Sequence, residues 1–143
     1  MSVVFGRIAT ALLVAAAGAI HLYLWFDYFH RVHTVGVLFL VNAAVGLVLG
    51  AALLPRRSVV VSAAAGGYAV TTLAAFVVST RWGLFGYRER FWGSWQEAAG
   101  AVELAAALAA SLLVVRRPRR GAPYRASRER PHRSSRAGVR RAR

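Results

Sequence analysis

The chain has 143 residues, 57% of them hydrophobic, with a formal net charge of +14 and no cysteine. That length allows one domain, and a mean hydropathy of +0.46 points away from an ordinary soluble fold. The lack of cysteine excludes disulfides, iron–sulfur clusters, thiol catalysis and Cys-based zinc sites. The charge is lopsided. Residues 116–143 hold 12 arginines against Glu129, a net +11, while residues 1–115 hold 7 arginines and 4 acids, a net +3. All 19 basic residues are arginine, which we read as the codon bias of a GC-rich genome rather than a functional choice.

Four apolar runs follow one another, at 8–26, 35–54, 59–78 and 98–115, and Glu103 is the one formal charge inside them. A run of about 20 residues rising 1.5 Å each matches a hydrocarbon core of about 30 Å. Helices are required, because in lipid the backbone groups must be satisfied within the segment. The first run, preceded by Arg7 and carrying Ala15-Ala16-Ala17-Gly18-Ala19, also has features of a cleaved signal peptide. Two features favour its retention. It continues past those small residues to Phe26, and it ends in the aromatic belt of Tyr23, Trp25, Phe26 and Tyr28.

The links fix the topology. Residues 27–34 join the first pair, 55–58 the second and 79–97 the third. The shortest forces the second and third helices into an antiparallel hairpin. The expected fold is an all-α integral membrane four-helix bundle of two antiparallel hairpins. Arg7, Arg56, Arg57 and the 12 arginines of the tail share one side, against Arg31, Arg81, Arg88 and Arg90 on the other. The positive-inside rule then places both termini in the cytoplasm of a plasma membrane.

Small residues four apart mark faces where helices in lipid approach closely. Such stripes run through Asn42, Gly46 and Gly50 on the second helix and through Ala63, Gly67, Thr71 and Ala75 on the third. On the fourth, Ala99, Gly100, Ala106, Ala107 and Ala110 surround Glu103.

The polar residues within the spans fall in one stratum. His21 and Glu103 each lie six residues from the outer end of their helix, about 9 Å deep, and Asn42 and Thr72 lie eight residues in, about 12 Å deep. An intramembrane carboxylate costs at least ~2.5 kcal/mol on insertion scales, so Glu103 needs a partner, and His21 is the natural one. Two readings compete for this layer. One is a ligand or proton site built from His21, Asn42, Thr72 and Glu103, with haem at His21 or a quinone as low-ranked occupants. The other is interhelical glue.

Two flanking segments complete the chain. Asp27, His30 and His33 recur at threes, which approximates a metal-ligand set, but interfacial polar residues around Arg31 are the better account and no metal is assigned. The 79–97 link is rich in aromatic residues, among them Trp82, Trp92 and Trp95, and is expected at the headgroup level as an interfacial anchor or, less simply, a lid over the polar layer. The tail, 116–143, lacks apolar periodicity and is expected to be disordered. Arg56, Arg57, Arg116, Arg117, Arg119 and Arg120 are placed to meet anionic lipid headgroups, and without aromatic interleaving or a folded module nucleic acid is not the expected partner.

The strings His21-Leu22-Tyr23-Leu24-Trp25, Leu38-Phe39-Leu40-Val41-Asn42 and Gly83-Leu84-Phe85-Gly86 resemble a pattern found in small uncharacterised actinobacterial four-span membrane proteins. The resemblance covers roughly residues 11–110 and implies a four-span fold and an actinobacterial origin, with no activity or ligand attached. No nucleophile–base set stands out, so an enzyme is not expected. The leading expectation is an accessory or oligomerising membrane component, with a homo-oligomer or another membrane protein as partner. The alternative is a small-molecule or proton-linked binding protein or transporter that uses the polar layer.

Overall fold

The computed structural model describes residues 3–55, 58–88 and 93–115. Arg56, Arg57, Arg90, Trp92 and the whole tail from Arg116, with its candidate lipid contacts Arg116, Arg117, Arg119 and Arg120, lie outside them. Four α-helices make up nearly all of the described chain: α1 (Val3–Asp27), α2 (His33–Leu53), α3 (Val59–Arg81) and α4 (Ser94–Val115). Each is long and apolar enough to cross a membrane. Three of the four outrun the apolar stretches that announce them, because a helix carries polar turns past the hydrophobic band: α1 begins at Val3, α3 continues to Arg81 and α4 begins at Ser94, while α2 starts two residues early and stops one short.

The helices form a ring in the order α1, α2, α3, α4, with α1–α2 the most extensive contact and α2–α3 the least. Both termini of the described chain therefore lie at one end of the bundle. The α1–α2 and α3–α4 links lie at the other, called here the linker end. Backbone apposition explains the tight α1–α2 pair. A Cβ on Gly18 would come within 2.9 Å of both Ala43 O and Leu47 N, and one on Gly50 within 2.9 Å of Ala11 O. Only glycine allows that approach.

The small-residue stripe read on α3 is corrected. Ala63, Gly67 and Thr71 are exposed, and a Cβ on Gly67 would meet nothing within 4 Å. The packed face of α3 is instead Ser62, Ala65, Tyr68 and Ala69. In a helix this rich in alanine, several faces carry small residues, so spacing alone does not select one. On α4 the buried residues are Ala99, Glu103, Ala106, Ala107 and Ala110, as the small-residue stripe indicated.

Two cores result. One runs from the middle of the bundle toward the termini and gathers Val14, Ala17, Leu53, Ala65, Tyr68 and Ala106. A smaller one at the linker end centres on Leu24, Phe29 and Val35. Phe29 belongs to the short 3-10 turn Phe29–Arg31 between α1 and α2, and its ring stacks on Phe39 at 3.9 Å. Hydroxyls inside the spans are satisfied locally: Thr10 donates to Gly6 O, Ser62 to Ser58 O and Ser111 to Ala107 O, each one turn back. This keeps their polarity from the surroundings. Glu103 has no such option.

Candidate functional site

His21 and Glu103 face each other across the bundle. His21 lies on the buried face of α1, one turn beyond Ala17, and Glu103 lies among the alanines of α4. They are 7% and 2% exposed, so neither is hydrated from outside. The His21 Nδ1 nitrogen donates to Ala17 O at 2.9 Å, since a carbonyl can only accept. That bond turns Nε2 toward Glu103, whose Oε1 lies 3.6 Å away. The separation suits an ion pair and exceeds a hydrogen bond. Glu103 Oε2 is buried with no hydrogen-bond partner.

This geometry limits the proton inventory. With Nδ1–H committed to Ala17, an unprotonated pair would set the Nε2 lone pair against a carboxylate oxygen. At least one proton therefore belongs to the pair, on Nε2 or on the carboxyl group, and either placement leaves the two side chains neutral in sum.

Asn42 and Thr72 meet on the opposite wall. The Thr72 hydroxyl donates to Asn42 Oδ1 at 3.1 Å and to Tyr68 O at 2.9 Å, sharing one hydrogen between them. The Tyr68 hydroxyl donates to Asn42 O at 3.2 Å, so α2 and α3 are tied together at this level.

Between the two walls is a cavity of about 300 Å³, and all four of these residues line it. It lies where the sequence places the polar layer, between the two cores. The void itself was not legible in the sequence. Beyond Ala69, α3 has no buried residue, so its linker-end half adds little to the filling of the bundle. Apart from Thr71, Ser79 and Gln96, the remaining lining is apolar or aromatic, with Phe29, Phe39, Phe76 and Tyr87 contributing rings. Phe39 also lies 5.0 Å from the His21 ring. Exposed lining residues lie on both α2 (Leu38, Val41 and Val45, at 40%, 54% and 40%) and α3 (Thr71), so the cavity is open on the side between these helices. An opening between two apolar helices at that level faces the surroundings of the bundle rather than either end.

The aromatic link meets the cavity through residues other than Trp82 and Trp95. Trp82 is 73% exposed, and Trp95 packs against Tyr23 at 4.7 Å; neither lines the cavity. The cover is made by Leu84 and Tyr87, which close a tight turn through Leu84 N to Tyr87 O at 2.6 Å and Tyr87 N to Leu84 O at 2.9 Å. Phe85 and Gly86, at its centre, both have positive φ (50° and 79°), the signature of a hairpin turn of the primed type. Of the central pair only Gly86 suits such a turn, so the Leu-Phe-Gly-Tyr string does not announce it, and which flanking ring faces inward depends on Phe29, whose edge meets Tyr87 at 5.4 Å.

Asp27, His30 and His33 do not converge. His30 Nδ1 donates to Trp25 O and Nε2 accepts from Arg31 Nε, while His33 opens α2. Among the described residues no cluster of three His, Asp or Glu side chains is arranged to hold a metal ion. The chain matches no family model, no curated protein and no solved structure.

Proposed function

We propose that this chain is an integral membrane protein whose cavity binds a small, largely apolar molecule drawn from the lipid phase, with a proton held at the site. One observation carries the reading. A cavity of about 300 Å³ is lined by Glu103, whose carboxylate has one oxygen buried without a partner. A site serving only as glue would be filled and its polar atoms satisfied. Here the void is about twice the ~150 Å³ apolar cavity that accommodates a benzene-sized molecule. It also reaches the lower end of the ~300–1,000 Å³ typical of ligand pockets.

The setting belongs to the same proposal. The bundle spans the plasma membrane of an actinobacterium with both termini in the cytoplasm, supported by the arginine count of 15 against 4. The cavity then lies in the outer leaflet and opens sideways to lipid. The basic tail contacts anionic headgroups on the inner surface.

Titration of the purified protein with indole in an uncharged detergent tests the binding reading. Indole should raise the thermal unfolding temperature in proportion to its occupancy. Ala75→Phe, which fills the void from α3, should raise that temperature without indole and abolish the response to it. An indole response equal in both proteins would place binding elsewhere.

A second reading, an oligomerising or accessory component, is favoured by a separate feature. Ala63 and Gly67 on α3 and Ser111 on α4 are exposed along a shallow groove near the terminal end. A second helix could approach closely there. Measurement of the particle mass in lipid nanodiscs decides between one chain and several.

A further inference from the structure

Three features of the cavity select among small apolar ligands. Glu103 Oε2 is an acceptor without a donor in a residue 2% exposed. The rings of Phe29, Phe39, Phe76 and Tyr87 line the same space, and aromatic faces attract a cation most where water is excluded. The His21–Glu103 pair, with Nε2 3.6 Å from Oε1, holds a proton that another cation can replace without altering the buried charge.

We propose that the cavity binds a primary or secondary ammonium ion carried on a small apolar body, and that the proton of the His21–Glu103 pair leaves to water as it binds. The inference rests on the binding reading above. The exchange balances: one cation enters, one proton departs, and no covalent bond is made or broken within the ligand. In the bound state one N–H donates to the Glu103 carboxylate and a second to the freed lone pair of His21 Nε2. The apolar body occupies the space toward Leu38 and Val45, near the opening between α2 and α3.

The other groups facing the pair do not supply a competing charge. From α2 comes the Asn42 amide, and from α3 the Thr72 and Tyr68 hydroxyls, with Tyr68 donating to Asn42 O. The remaining polar lining is Thr71 and Ser79 on α3, Gln96 on α4 and Tyr87 from the link, and among the described residues no arginine is part of it. The exchange therefore belongs to His21 and Glu103.

The probe is 2-phenylethylamine, with 2-phenylethanol as its uncharged isostere, titrated calorimetrically into the full-length protein in an uncharged detergent near neutral pH. Repeating the titration in buffers of different ionisation enthalpy counts the protons released. The amine is expected to bind at least about tenfold tighter than the alcohol, and to release about one proton per molecule bound. Glu103→Gln should reduce the amine to the affinity of the alcohol. Equal affinities for amine and alcohol, or amine binding without proton release, would overturn the ammonium assignment while leaving the cavity as a binding site. Binding of neither would overturn both readings. Should Glu103→Gln fail to fold, the proton count on the unaltered protein still decides.

Discussion

At the scale of single residues, Glu103 is the most informative position in the chain. Its carboxyl group is buried, 3.6 Å from His21 Nε2, and half unsatisfied. If the layer were only glue, removing the charge would cost stability. If it is a site, the charge is retained at the expense of stability, and Glu103→Gln should leave the thermal unfolding temperature unchanged or raise it. Phe85 is the other conspicuous residue, at φ 50° with its side chain 67% exposed. A left-handed conformation costs an L-residue roughly 1–2 kcal/mol, and an exposed ring forfeits little packing when removed. Phe85→Gly should therefore stabilise the protein, by up to about 1 kcal/mol in denaturant unfolding. The identities of His21, Asn42, Thr72 and Glu103 as one group were legible in the sequence, because equal depth on four helices needs only the helical rise. The empty carboxylate oxygen was not. It depends on a side-chain separation that no spacing rule encodes.

At the scale of elements, the paired behaviour of two glycines tests how the bundle is held. A Cβ on Gly46 would come within 2.9 Å of Gly18 Cα and 2.5 Å of Tyr68 Oη, whereas one on Gly67 would touch nothing. Gly46→Ala should thus lower stability by about 1–3 kcal/mol. Gly67→Ala should be neutral or stabilising by up to about 1 kcal/mol, the ordinary helix preference of alanine. Thermal unfolding followed by far-ultraviolet circular dichroism reads both. The helices themselves were legible, since four uncharged or nearly uncharged runs have few other solutions. Helix ends were less so, because α1 and α3 continue through residues that hydropathy counts as polar. The packed face of α3 was misplaced for a related reason. Alanine and glycine recur on several of its faces, and the choice among them was made by Tyr68 reaching Asn42 and by Gly66 lying near Ala110.

At the scale of the whole molecule, the bundle is uneven. Toward the terminal end, α1 and α2 meet backbone to backbone and the core is filled by alanine, valine and leucine. Toward the linker end, α3 buries nothing beyond Ala69, and a cavity lies beneath a cover of Leu84, Tyr87 and Phe29. Four apolar spans with a polar stratum could be read from composition and spacing. The unevenness could not, because it is a property of summed volumes rather than of any one helix. Whether that cavity holds a ligand decides between a binding protein and a purely structural bundle. The most direct measurement is a crystal structure of the protein with 4-bromophenethylamine, located by the anomalous signal of bromine. One strong peak is expected inside the bundle between α2 and α3, with the amine nitrogen against Glu103. Bromine found only on the outer surface of the helices, with the cavity unoccupied, would contradict the binding reading.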